Sequence, residues 1–147
     1  MSWELGVGFV VGFLGVELAS YFLHRHLFHG ALWFIHQSHH RARRGAFEWN
    51  DVFSFGFAGL AVFLMVTRSE PDFWFAVGAG ISAYGTLYFI AHDLYTHGRW
   101  MRFESRFPWL NRIRRAHRKH HQSASQPGQE PYGLFWYRES DLQERSR

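Results

Sequence analysis

Residues 5–30 read LGVGFVVGFLGVELASYFLHRHLFHG. Up to residue 23 the run is apolar on every side and carries one charge, Glu17; it then turns into a histidine pair spaced H-x4-H, His24 and His29, closed by Gly30. A run of this kind is close to the roughly 20 residues a membrane helix requires. Apolarity all round, rather than on one stripe, marks contact with lipid or deep burial. Residues 52–67 and 73–91 contain no charge at all, and the second of these also leads into an H-x4-H pair, His92 and His97, closed by Gly98. Buried helices of a soluble bundle are the alternative, but a chain of 147 residues could hardly cover three helices that are apolar on every side. The expected fold class is all-α, an integral membrane helical bundle of about three to four transmembrane helices with a histidine-rich helical cap. Residues 1–135 form a single domain in this reading and residues 136–147 a polar tail.

Charge placement agrees. Of the 16 Lys and Arg residues, all but Arg68 lie between the first and second apolar stretches or after the third. The positive-inside rule puts both basic segments in the cytoplasm, which gives three crossings, an outside N-terminus and all histidine clusters on the cytoplasmic side. The first stretch begins almost at Met1 without a small-residue cleavage pattern, so it reads as a retained helix, and the expected location is a prokaryotic inner membrane. Arg41, Arg43, Arg44, Arg112, Arg114, Arg115, Arg118 and Lys119 sit beside these spans, where they set topology and contact anionic lipid; nucleic acid is not an expected partner. Gly8, Gly12, Gly15 and Ala19 in the first stretch, and Gly78, Ser82 and Gly85 in the third, are either close-packing positions or the ordinary glycine of membrane helices. Trp100, Phe103, Phe107 and Trp109 read as an interfacial segment, residues 111–121 as a helix and residues 126–131 as a loop. There is no cysteine, which excludes disulfides, Cys-ligated zinc and iron–sulfur clusters carried by this chain.

The 11 histidines all lie in four clusters. His24 and His29 form H-x4-H; His36, His39 and His40 form H-x-x-H-H; His92 and His97 repeat the first spacing, and His117, His120 and His121 the second. On a helix, residues at i, i+3 and i+4 share one face, so His36, His39 and His40 should form one imidazole patch and His117, His120 and His121 another. Five residues turn an ideal helix by about 500°, so the H-x4-H pairs converge only if the helix ends or bulges between them. Gly30 and Gly98 are placed to permit that. Neutral imidazole is the commonest transition-metal ligand, and ten paired histidines point to a metal centre of two ions. His26 fits neither spacing and is not expected to be a ligand.

Imidazole suits zinc, copper, iron and nickel alike. Zinc usually takes four ligands, and three plus water at a catalytic site; ten histidines overfill it, whereas two irons with four or five imidazoles each use them. Glu17, a lone acid in a span, is a functional candidate. It either fixes a histidine tautomer from behind or pairs with a polar group to lock the bundle. Asp93, next to His92, is a similar candidate, and Tyr84 and Tyr88 either line a cavity or pack the core.

The ordered series of spacings resembles the fatty-acid hydroxylase superfamily of membrane diiron enzymes, and within it the bacterial-type β-carotene hydroxylases. The resemblance runs from about Glu17 to Phe135. It takes in His24-Arg25, His29-Gly30, the first H-x-x-H-H box, residues 45–51 (GAFEWND), residues 83–88 (AYGTLY), His92-Asp93, His97 with Arg99-Trp100, residues 116–121 (AHRKHH) and residues 132–135 (YGLF). It implies that the ten paired histidines ligate two non-haem iron ions, with O2 as co-substrate and electrons from an external donor such as reduced ferredoxin. It also implies hydroxylation of the β-ionone ring of β-carotene at carbon 3, through cryptoxanthin to zeaxanthin. His26 stands where the family usually has an aromatic residue, Leu94 replaces a frequent glycine, and residues 31–35 lack the family's alternating Gly-Trp pattern; these departures bear on the ring pocket. The rival readings are a related diiron hydroxylase or desaturase acting on another carotenoid, fatty-acyl or sterol substrate, a membrane zinc hydrolase, and a metal carrier.

Overall fold

The computed structural model describes residues 3–41, 45–123 and 125–142; Arg43, Arg44 and the end of the expected tail, residues 143–147, lie outside them. Every regular element among the described residues is helical. Helix α1 (Trp3–Phe22) continues into a π-helical segment, Leu23–Ala31; a short α2 (Trp33–His36) follows, then α3 (Asp51–Val66), α4 (Phe73–Tyr88) with a second π-helical segment, Phe89–Thr96, α5 (Pro108–His120) and a 3₁₀ turn, Glu139–Leu142.

Two continuous helices, Trp3–Ala31 and Phe73–Thr96, are long and apolar enough to cross a bilayer. The third apolar helix, α3, has 16 residues, about 24 Å at 1.5 Å per residue, shorter than the roughly 30 Å hydrocarbon core. Apolar side chains stand exposed around α1 and α3, among them Val10, Leu14, Phe55 and Phe63. A surface of this kind is expected to face lipid.

Helix α4 is the central element, with α1 and α3 packed on it. Asp72 caps its start, accepting a hydrogen bond from the Phe75 amide at 2.8 Å, and Pro108 starts α5 at a position where its missing N–H costs nothing. Val16, Ala61, Val77, Ile81 and Tyr84 form the bundle core. A second core, Ala91, Tyr95, Leu110, Ile113 and Leu134, joins the second π segment to α5 and to the chain near residue 134. The start of the expected tail docks too, as Arg112 of α5 pairs with Glu139.

The α1–α4 approach depends on Gly12. A Cβ added there would stand 3.0 Å from the Val77 Cα, whereas at Gly15 it would meet nothing within 4 Å. Gly12→Leu is therefore expected to destabilise the fold by about 1–3 kcal/mol, the usual cost of overpacking, and Gly15→Leu to change little. Thermal unfolding of both variants in detergent checks this; equal melting points would show that the helices do not need the close approach.

Candidate metal centre

His24, His29 and His92 lie in the π-helical segments, and His97 follows the second one directly. There the bonding pattern is i→i+5, as from the His97 amide to the His92 carbonyl, 2.9 Å, and from the Leu32 amide to the Leu27 carbonyl, 2.8 Å. Residues five apart then sit one above the other. The helix bulges, as the spacing demands, but over the whole histidine pair rather than at a single break. Gly30 and Gly98 mark the ends: the chain kinks at Gly30, and Gly98 takes the left-handed conformation, φ 58°, which glycine adopts without steric cost.

The side chains converge into two adjacent groups. In one, His24, His29, His36, His40 and His120 bring one ring nitrogen each within 4.8 Å of the others; in the second, His39, His97, His117 and His121 do the same. The two H-x-x-H-H boxes are thus not two patches, contrary to the expectation from spacing. Each box is divided. His36 and His40 serve the first group and His39 the second, whereas His117 and His121 serve the second and His120 the first. On α5 the reason is angular. At about 100° per residue, His117 and His121 are roughly 40° apart, and His120 stands about 60° to the other side of His117, so the shared face straddles the line between the groups. In the first box, α2 ends at His36, and tighter i→i+3 bonds, such as His39 amide to His36 carbonyl at 2.9 Å, turn His39 away.

The arrangement exchanges roles between the two halves of the chain. Each group takes the i,i+4 pair of one half's box and the central histidine of the other half's box, together with both members of the H-x4-H pair in the first group and His97 alone in the second. His92 is the counterpart of His24. Its ring lies 4.4 Å from that of His117, but Nε2 meets the Tyr88 hydroxyl at 3.1 Å and Nδ1 the Asp93 carboxylate at 2.9 Å, so it stands beside the second group rather than in it. His26 is exposed and stacks on Phe22, away from both.

Hydrogen bonds behind the rings set which nitrogen is bare. His24 Nδ1 bonds the Tyr132 carbonyl, 2.8 Å, His36 Nδ1 the Asn50 Oδ1, 2.6 Å, His120 Nδ1 the Gln129 carbonyl, 2.6 Å, and His39 Nδ1 the Glu48 carboxylate, 3.0 Å. These oxygens accept, so the proton sits on Nδ1 and Nε2 presents a lone pair. His24 Nε2 and His36 Nε2 then face each other at 3.0 Å, and His29 Nε2 and His120 Nε2 at 3.1 Å. Burial keeps the rings neutral: desolvation pushes His36 down to about 3, His40 to about 4, and His39, His117, His120 and His121 well below the ordinary imidazole range. The facing lone pairs of His24 and His36 repel unless a cation lies between them. His121 Nε2 is buried without a hydrogen-bond partner, a cost that a metal removes. The donor set fits metal ions.

Several of these supports escaped the reading from spacing. Glu48 and Asn50 come from the turn before α3, and Gln129 and Tyr132 from the segment that closes over the first group, where a Cβ on Gly128 would run into the His29 ring. The only trace of Glu48, Asn50 and Tyr132 in sequence was membership of the GAFEWND and YGLF stretches, and Gln129 lay in the stretch read as a loop. Arg99, buried, holds Asp51 through two bonds of 2.7 and 2.6 Å and reaches Asp93 at 3.4 Å. Asp93 holds His92, whereas Glu17 touches no histidine. Glu17 accepts from the Tyr84 hydroxyl at 2.5 Å and from the backbone amides of Phe135 and Trp136 at 3.0 and 2.8 Å, which locks the bundle to the closing segment.

A cavity of about 500 Å³ opens onto both groups. His24, His36, His39, His92 and His117 form one end; Phe53, Phe57, Ala61, Ile81, Tyr84, Tyr88 and Phe89, from α3, α4 and the second π segment, form the walls. The tyrosines both pack the core and line the cavity.

The sequence matches the family model for fatty acid hydroxylases over residues 9–138. It is 38% identical over 138 residues to a β-carotene hydroxylase of Pantoea ananas, covering 91% of this chain and 77% of that protein. It is 37% identical over 139 residues to a β-carotene hydroxylase of Pseudescherichia vulneris, covering 91% and 78%. A chloroplastic β-carotene 3-hydroxylase 1 of Arabidopsis thaliana is 36% identical over 140 residues, 91% of this chain and 44% of the plant protein. No solved structure matches the chain. With a match over most of its length and relatives covered for more than two thirds of theirs, the chain belongs to the fatty acid hydroxylase family.

Proposed function

We propose that the chain hydroxylates the β-ionone ring of β-carotene at carbon 3, through cryptoxanthin to zeaxanthin, with O2 and two non-haem iron ions. The observation that carries this reading is the apolar cavity whose end wall is made of imidazoles from both groups, in a chain whose relatives bear the name β-carotene hydroxylase. One ion would be held by His24, His29, His36, His40 and His120, the other by His39, His97, His117 and His121, with His92 at hand beside it. Iron so held supplies the activation of O2 needed to insert oxygen into an unactivated C–H bond.

The chain's own residues do the rest. Phenylalanine and aliphatic walls hold the ring against the histidine end and keep water out. Tyr132, Asn50, Gln129 and Glu48 fix the imidazoles so that Nε2 points inward. The balance is RH + O2 + 2 e⁻ + 2 H⁺ giving ROH + H2O, and with no cysteine in the chain the electrons come from a separate donor such as reduced ferredoxin. The three apolar stretches act as spans, with the histidines at the cytoplasmic face of a prokaryotic inner membrane and the apolar substrate arriving from the bilayer; residues 1–135 form the working unit.

The test uses purified protein loaded with Fe(II), β-carotene, O2 and a chemical reductant, with products separated by chromatography. Hydroxylated carotene and about two irons per chain, the number the two histidine groups can hold, are expected. No hydroxylated product at full iron loading rejects the carotenoid substrate; activity with zinc alone and without O2 rejects the oxygenase.

A subtler effect is expected at Asn50. Asn50→Leu removes the acceptor behind His36 and should weaken iron retention about 10–100-fold, the usual cost of losing a partner behind a metal ligand. Chelator competition measures it; unchanged retention would mean that His36 needs no such support.

A further inference from the structure

Helix α5 has two faces of opposite character. His117, His120 and His121, with Leu110, Ile113 and Ala116, turn inward. Arg112, Arg115 and Arg118 turn outward and are exposed, and with Arg106 they line one shallow concavity. Arg112 is paired with Glu139; Arg115 and Arg118 face no carboxylate within ion-pair distance among the described residues. Arg114 belongs to the same run but is turned in, onto Glu104, the Tyr95 and Phe103 carbonyls and the Tyr95 ring.

This face does not suit lipid. Helix α5 packs its apolar and histidine side on the end of the Phe73–Thr96 helix, so the arginine side looks away from that span. Trp109 stands about 120° round the helix from Arg115, and Pro108 is the one non-polar residue that lines the concavity with the arginines. What remains is a compact cationic surface separated from the histidine groups by one helix, about 10–12 Å across.

We propose that Arg106, Arg112, Arg115 and Arg118 form the docking surface for an acidic one-electron iron–sulfur carrier protein that reduces the centre on the other side of α5. The proposal rests on the oxygenase reading, which requires two electrons per turnover from outside the chain. Each docked carrier is oxidised by one electron and leaves, so two dockings supply the electrons that, with two protons and O2, give one hydroxyl and one water. Complementary charge raises the rate of encounter and fixes orientation, and it is weakened by salt.

The experiment uses the full iron-loaded chain in zwitterionic lipid nanodiscs and a plant-type [2Fe–2S] ferredoxin as the probe. Binding is measured at low and high salt, and turnover is driven in parallel by reduced ferredoxin and by dithionite with methyl viologen. The double variant Arg115→Glu/Arg118→Glu is expected to bind ferredoxin at least tenfold more weakly and to lose at least tenfold of ferredoxin-driven turnover, while iron content and viologen-driven turnover stay at the parent level. Arg68→Glu, far along the chain, should bind as the parent does. Unchanged ferredoxin binding in the double variant overturns the proposal. So does a loss of binding confined to vesicles of anionic phospholipid, which would make the face a lipid contact. If the glutamate pair does not fold, Arg115→Gln/Arg118→Gln gives a smaller loss in the same direction. A parent protein that turns over with neither reductant refutes the oxygenase reading, while the binding measurements still decide the docking surface.

Discussion

Replacing His120 by alanine is expected to abolish turnover and to lower iron from two ions per chain to one. His120 is the most deeply buried large side chain, with no exposed surface. Its Nε2 lies 3.1 Å from that of His29, and its ring is 4.5 Å from His24 and 4.9 Å from His40. It is also the member of the second half's box that crosses to the first group, so its removal opens that group from the side of α5. The loss should be on the order of a thousandfold, beyond the ~10–100-fold expected when only a supporting partner is lost. Metal analysis and product formation check it, with circular dichroism to show that the helices persist. A variant with two irons and parent activity would remove His120 from the proposed ligand set.

The second large effect concerns stability. Arg99→Leu leaves Asp51 and Asp93, both buried, without the guanidinium they share. Breaking a buried ion pair from one side costs about 3–5 kcal/mol, because the partner charge is stranded. Here the damage spreads, since Asp51 starts α3 and also accepts from the Glu48 amide at 2.9 Å, and Asp93 orients His92. A marked fall in the thermal midpoint in detergent is expected. Adding Asp51→Leu should recover part of it, because replacing both members of a buried pair by apolar groups is far less costly than removing one. If Arg99→Leu melts like the parent, the triad does not hold the histidine segment to α3.

The apolar stretches and the histidine spacings were legible because both are periodic properties of a single segment. Residues 52–67 appear as α3, Asp51–Val66, within one residue at each end, and residues 73–91 as a helix that starts at Phe73 and runs on to Thr96. The division of each H-x-x-H-H box between two groups was not legible: spacing says that His117, His120 and His121 share a face, but only packing says where the boundary between the two groups crosses it. Glu17 shows the same limit. Its location in an apolar helix marks it as partnered, yet two of its partners are the amides of Phe135 and Trp136, and backbone donors carry no side-chain signature. Arg99 and Asp51 lay in plain view as a basic and an acidic residue 48 positions apart in sequence, with nothing local to join them. The H-x4-H spacing held more than the α-helical geometry could extract, because five residues is the repeat of the i→i+5 bond itself.

The segment from Gln126 to Trp136 gives the centre an order of manufacture. Carbonyls of Gln129 and Tyr132 orient His120 and His24, and Glu17 fastens the amides that follow. A ribosome makes that segment after every histidine in the chain. The helices can therefore form before His24 and His120 are oriented, and on the proposed diiron reading metal loading would follow translation, drawing on the cell's supply at that moment rather than on the supply while the helices were being made.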